Sequence, residues 1–128
     1  MMTKITIPND IPSSPLCFFL KEFNIAFAKG DAKFITDHVE KDIVWWIYGD
    51  KKLEGRDAFA KEIDSMKVYV AVELIMHSCI VQGQMAVVNG EIRMGGKTHA
   101  FCDMYNFANT EDFILNEIRS YVIETRTA

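Results

Sequence analysis

The residues best suited to chemistry lie close together in His99-Ala100-Phe101-Cys102-Asp103-Met104-Tyr105-Asn106-Phe107. Read as a strand, the alternation puts His99, Phe101, Asp103, Tyr105 and Phe107 on one face, because successive side chains point to opposite sides. A carboxyl and an imidazole on one wall are the raw material of general acid-base catalysis. His99 precedes Asp103 by four residues, about 13 Å along an extended strand, so the two share a wall without touching. For His99 two readings stand: a base or polarising group, or a strand-end histidine that faces water near Gly95-Gly96.

Other groups offer less. His77 sits in Leu74-Ile75-Met76-His77-Ser78, where both parities carry apolar residues and leave the register open. If His77, His99 and Asp103 converged they would form a two-histidine, one-carboxylate metal face. Ligands scattered over separate strands without a local signature make a metal an unsupported expectation. Cys17, Cys79 and Cys102 have neither CxxC nor Cys/His spacing, which argues against a zinc site or disulfide framework and for buried thiols in a reducing compartment. Neither a Gly-x-Ser-x-Gly elbow nor a phosphate-cradling glycine loop is found, so no cofactor is expected.

The elements that must position these groups follow from local pattern. Ser14-Pro15 marks a helix start, the hydroxyl as cap and the proline in the first turn. Leu16, Phe19, Leu20, Phe23 and Phe27 recur at helical spacing to about Lys29, with Lys21, Glu22, Asn24 and Lys29 assigned to the opposite, polar side. Gly30 suits a left-handed stop, and Asp31 caps a second short helix with Phe34, Ile35, His38 and Val39 as its apolar stripe. Asp42 to Tyr48 is aromatic and β-branched and predicts a strand, followed by Lys51-Lys52 as a solvated loop. Gly55 to Met66 returns to helical spacing through Phe59, Ile63 and Met66.

From Val68 onward the pattern is strand, broken at Gly83-Gln84, Gly95-Gly96 and Asn109 to Asp112. Four long antiparallel strands, one earlier strand and three helices predict an α+β domain with the helices on one face of a strongly curved sheet. Residues 1–13, with three prolines at 8, 12 and just beyond at 15, read as an irregular arm, and residues 14–128 as one domain. In the last strand Leu115, Glu117, Arg119, Tyr121 and Ile123 are assigned outward, and Ile114, Ile118 and Val122 inward.

Composition limits the partners. The chain has 128 residues, 49% hydrophobic and 25% charged, which is the balance of one soluble globular domain. A net charge of -4 leaves no basic face for phosphates, so nucleic acid is not an expected partner. The apolar run Leu16 to Leu20 is too short for a signal-peptide core, and no stretch calls for a bilayer, so no membrane is expected and a cytoplasmic address follows by default.

The chain resembles the nuclear transport factor 2-like superfamily, in its SnoaL-like branch with ketosteroid isomerases and polyketide cyclases. The resemblance rests on Phe27-Ala28-Lys29-Gly30-Asp31, Asp42-Ile43-Val44-Trp45-Trp46-Ile47-Tyr48-Gly49, Gly55-Arg56-Asp57-Ala58, Asp103-Met104-Tyr105-Asn106-Phe107 and Ile118-Arg119-Ser120-Tyr121, in that order. It implies a cone-shaped, mostly antiparallel sheet with three helices on its concave face, the cystatin-like or NTF2-like roll, enclosing an apolar pocket. It further implies a homodimer through the convex sheet face.

The resemblance places Asp103, Trp45 and Ile47 inward, with Trp46 and Tyr48 on the other side. Asp103 would correspond to the carboxylic acid that donates to an enolate oxygen in ketosteroid isomerases. Among Phe101, Tyr105 and Trp45 it would lose hydration and hold its proton to higher pH. The isomerase's tyrosine and proton-shuttling aspartate fall at Phe23 and Ile47, and neither side chain moves a proton. Two expectations therefore stand. In one, a small apolar, carbonyl-type molecule meets cofactor-free acid-base chemistry by Asp103 and His99, walled by Phe23, Trp45, Ile47, Phe101, Tyr105, Ile118 and Val122. In the other, the same fold serves non-catalytic ligand binding or assembly.

Overall fold

The computed structural model describes residues 2–125. Helix α1 spans Pro15–Lys29, α2 Ala32–Thr36 and α3 Arg56–Met66; the strands are β1 Lys4–Thr6, β2 Val39–Ile47, β3 Lys51–Glu54, β4 Glu73–Gln82, β5 Met85–Met94, β6 Lys97–Asn109 and β7 Ile114–Thr125. They form one curved, unclosed sheet in the order β1-β4-β5-β6-β7-β2-β3. The β4-β5-β6-β7 meander is antiparallel, and β2 joins β7 in parallel. The α+β reading with three helices on the concave face holds.

Local chemistry fixes the helix ends. Ser14 Oγ accepts from the Leu16 N–H, Pro15 fills the first turn, and Gly30 closes α1 at φ 79°, where its N–H reaches back to Ala26 and Phe27 carbonyls. Asp31 accepts from the Phe34 N–H to start α2 at the next residue, so the chain turns a tight corner. The concave face carries a continuous core: Phe19, Leu20 and Phe23 of α1 and Phe59 and Ile63 of α3 pack against Leu74, Met76, Val88, Phe107 and Leu115 of the sheet. Gly90 is required where β4 and β5 bend together. A Cβ there would sit 2.1 Å from the Ile75 carbonyl oxygen and 3.0 Å from the Phe101 ring.

The structure corrects several sequence readings. The arm is not wholly irregular: β1 pairs in parallel with β4, Lys4 opposite Glu73, and the Thr3 hydroxyl donates to the Ala71 carbonyl. Met1 and residues 126–128, at the ends of the two spans assigned from sequence, lie outside the described residues. Lys51 and Lys52 belong to edge strand β3 rather than to a loop, paired with Ile47 and Trp46. Val39 opens β2 instead of finishing the α2 stripe.

Residue parity at the start of β7 is the reverse of that expected. The β6-β7 pairing skips Asn116, which swings Leu115 into the core, while Ile114 stays partly exposed. A second irregularity between Met76 and Ser78 leaves His77 on the outer surface. No helix among the described residues is long and apolar enough to cross a membrane.

Candidate functional site

The sheet's curvature and the helices laid across it leave a cavity of about 280 Å3. Asp103, His99, Phe23, Trp45, Ile47, Phe101, Tyr105, Ile118 and Val122 all line it. Asp103 is partly buried in the middle of β6, opposite Val88 of β5 and Ser120 of β7, with its Oδ1 atom sealed from solvent. His99 is half-buried and Val122 is 44% exposed, so the other end of this wall reaches solvent. Trp45 and Phe101 stand as walls and leave the space open, with the Trp45 indole packed on the Phe59 ring at 5.3 Å.

A chain of hydrogen bonds surrounds the carboxyl. Asn24 Nδ2 donates to the Leu20 carbonyl at 2.8 Å and to the Tyr105 hydroxyl at 3.3 Å, and that hydroxyl donates to Asp103 Oδ2 at 3.3 Å. From the other side the Trp45 indole N–H donates to Ser120 Oγ at 2.9 Å. Both chains run toward Asp103, and yet the carboxyl is under-satisfied: Oδ2 accepts one long bond, while Oδ1 is sealed from solvent without a partner. An ionised carboxylate has room for about four. Buried polar atoms left unpaired are rare enough in folded proteins to need a reason.

The electrostatics follow from this geometry. Burial, which penalises the charged form, pushes the Asp103 carboxyl up to about 6 from an ordinary 3.8, although the hydroxyls of Ser120 and Tyr105 each pull it down. Burial likewise drives the Tyr105 phenol well above its usual range, with the neighbouring Asp103 charge adding to the effect. Tyr105 is therefore a fixed donor, and Asp103 is the group near neutrality that changes charge.

Two members of this cluster escaped the sequence reading. Asn24 was assigned to the polar side of α1, but it is only 7% exposed. It falls four residues after Leu20 and next to Phe23, at the margin of the apolar stripe, where an amide with two internal acceptors is accommodated. Ser120 shares the parity of Ile118 and Val122, and that parity was the available signal. His77 does not join the site: its Nε2 lies 2.8 Å from Glu91 Oε2 on the exposed surface. Among the described residues no cluster of three or more His, Cys, Asp or Glu side chains is arranged to hold a metal ion.

The SnoaL-like domain family model matches residues 20–112. None of the curated proteins compared matches the chain by sequence. Among solved structures, an NTF2-like protein of unknown function from Cytophaga hutchinsonii superposes with a TM-score of 0.69 at 18% identity, covering 96% of this chain and 95% of that one. The epoxide hydrolase/cyclase-like enzyme SalBIII, with a role in pyran ring formation in polyether salinomycin, gives 0.71 at 13% identity over 84% and 90%. A steroid delta-isomerase from Pseudomonas aeruginosa gives 0.66 at 15% identity over 89% and 82%. At such identities the likeness establishes the fold alone.

Proposed function

The chain belongs to the SnoaL-like family, and from that premise we propose that its cone pocket binds a small, largely apolar molecule with which Asp103 exchanges a proton, without a cofactor. The observation that carries this reading is the under-satisfied Asp103 carboxyl in a largely apolar cavity, poised at about 6. A group titrating there is mostly a proton acceptor at pH 7 and a donor below pH 6, and general acid-base catalysis works best with such a match to ambient pH. Ring formation and steroid isomerisation, the activities of two structural neighbours, are reactions that proton transfer serves.

The site is poorly built for a carbonyl substrate. Proton abstraction beside a carbonyl builds an enolate, which needs a donor aimed at its oxygen. Phe23 and Ile47 supply none, and the Tyr105, Asn24 and Trp45 donors are already committed to one another and to Asp103 and Ser120. The same two apolar residues favour the second reading, a non-catalytic binding protein.

The test is a titration with 3-phenylpropan-1-ol followed by NMR of the Met66 and Met94 methyls and the Asp103 carboxyl, all in the cavity lining. Saturable shifts are expected at these sites in the wild type, and none in Val122→Trp, which fills the cavity mouth. The absence of saturable shifts in the wild type overturns the reading.

The convex face supports a further element of the proposal, a homodimer. Tyr48, Ile80, Met85, Tyr121 and Ile123 expose between 40% and 67% of their surface there, a mixture of aromatic and aliphatic groups typical of the core of an interface. Light scattering at micromolar concentration is expected to give twice the 14.6 kDa chain mass, and one chain mass for Tyr121→Lys.

A further inference from the structure

The polarity of the cavity is one-sided. Three carboxyls line it, Asp103, Asp50 and Glu62, together with the His99 imidazole, but not one lysine or arginine among the described residues. Glu62 is answered at its outer edge by Lys51 at 3.2 Å. Asp103 faces no cation at all: its own strand gives it Tyr105 and, farther off, His99, β7 gives Ser120, and α1 gives Asn24.

Hydrogen-bonding capacity around Asp103 is equally lopsided. The Asn24, Tyr105 and Trp45 donors are each spent inside the protein, and the Ser120 hydroxyl, which accepts from Trp45, favours the Asp103 carboxylate with its own proton, while Oδ1 is left without a partner and Oδ2 has a 3.3 Å bond from Tyr105. A ligand acceptor, whether carbonyl or carboxylate, finds the donors around Asp103 spoken for and repulsion as well. A ligand donor finds open acceptor positions. The surrounding surface is apolar and includes the rings of Phe23, Trp45, Phe59 and Phe101, and aromatic π electrons attract a cation in a desolvated site. A buried ammonium alone would be costly, and a buried carboxylate alone would be too; the pair neutralises both.

We propose that the pocket is a site for a small apolar amine, its ammonium N–H groups seated on the Asp103 carboxyl and its hydrocarbon on the aromatic walls, and that it rejects carboxylates and phosphates. This rests on the reading of the cavity as a ligand site and names its ligand class. A volume of about 280 Å3 lies at the small end of ligand pockets, about 300–1,000 Å3, and fits one aromatic ring with a short chain.

Three probes with one skeleton decide it: 3-phenylpropylamine, 3-phenylpropan-1-ol and 3-phenylpropanoate, titrated calorimetrically at pH 7.5. The amine is expected to bind about tenfold or more tighter than the alcohol, the advantage of a hydrogen bond to a charged group, and the carboxylate not to saturate. Asp103→Asn should abolish the amine's lead over the alcohol. In the wild type, the Asp103 carboxyl carbon signal should move further with amine than with alcohol, a readout that does not depend on the variant folding. A carboxylate that binds as well as the amine, or an amine lead that survives Asp103→Asn, overturns the proposal. If the alcohol binds and the amine has no advantage, the ligand class falls and the pocket reading stands; if none of the three binds, both fall.

Discussion

Trp45 and Trp46 are neighbours in sequence and live in opposite worlds. Trp45 is 7% exposed, packs at a tilt against Phe59 and sends its indole N–H to a neutral hydroxyl, Ser120. Trp46, on the convex face, sends its N–H to the Glu117 carboxylate at 3.3 Å, with Lys52 Nζ 4.2 Å from its ring centre and the Arg119 guanidinium 5.4 Å away. The carboxylates of the two faces differ in the same way. Glu117 is gripped by Arg119 through both oxygens, whereas Asp103 has a single long bond. One strand alternation thus separates a carboxylate held by a guanidinium from one that no cation faces. A solvated carboxylate loses little by being paired or unpaired. A buried one pays for ionisation out of folding stability, and is worth keeping only if something else uses it.

Truncating the two indoles gives the largest contrast. Trp45→Ala is expected to cost about 3–5 kcal/mol, the usual toll of emptying a buried aromatic site, and Trp46→Ala about 1–2 kcal/mol, chiefly lost cation-π contact and partial burial. Urea denaturation of both variants measures the gap. Equal losses would mean that the two faces are not distinguished by burial.

Next comes the pH dependence of stability. The folded Asp103 carboxyl keeps its proton to about 6 and the unfolded one to about 3.8, so the native state binds more protons between these values and its stability falls as pH rises from about 4 to about 6, then levels. At about 1.4 kcal/mol per pH unit the loss is about 3 kcal/mol. Asp103→Asn removes that dependence, so the stability difference between variant and wild type should move by about 2.4 kcal/mol in the variant's favour between pH 4 and pH 7.5, part of the loss having already occurred at pH 4. Denaturation at the two pH values checks it, with other titrating groups cancelling in the difference.

A smaller effect is expected at Ser120. Its hydroxyl favours the Asp103 carboxylate, so Ser120→Ala should push the carboxyl titration further up, as read from its carbon-13 shift. Smallest of all, Glu117→Gln on the convex face should change stability by about 0–1 kcal/mol, and less in high salt, as for exposed ion pairs.

Much of this architecture is legible in the sequence, for reasons particular to each element. Ser14-Pro15, Gly30-Asp31 and Gly83-Gln84 mark ends and turns by local chemistry, so the helices and the long meander can be placed without the structure. The parity of β6 also needs no structure, because His99, Phe101, Asp103 and Tyr105 alternate without a bulge. What stays hidden depends on distant partners. The three residues of β1 become a strand only because β4, nearly seventy residues on, offers an edge. The bulge at Asn116 leaves no mark on composition, and it reverses the roles of Ile114 and Leu115. Asn24 looks like a surface residue until Tyr105, 81 positions later, arrives to accept its proton.

The account's central claim is that Asp103 is an unanswered, desolvated carboxyl near neutrality, and the most direct test is a carbon-13 NMR titration of that side chain, assigned with Asp103→Asn. A midpoint near 6 that drops on adding 3-phenylpropylamine is the predicted result. A midpoint at or below about 4, the range of ordinary carboxylates, unmoved by the amine, would contradict it and leave Asp103 a solvated or fully bonded wall residue.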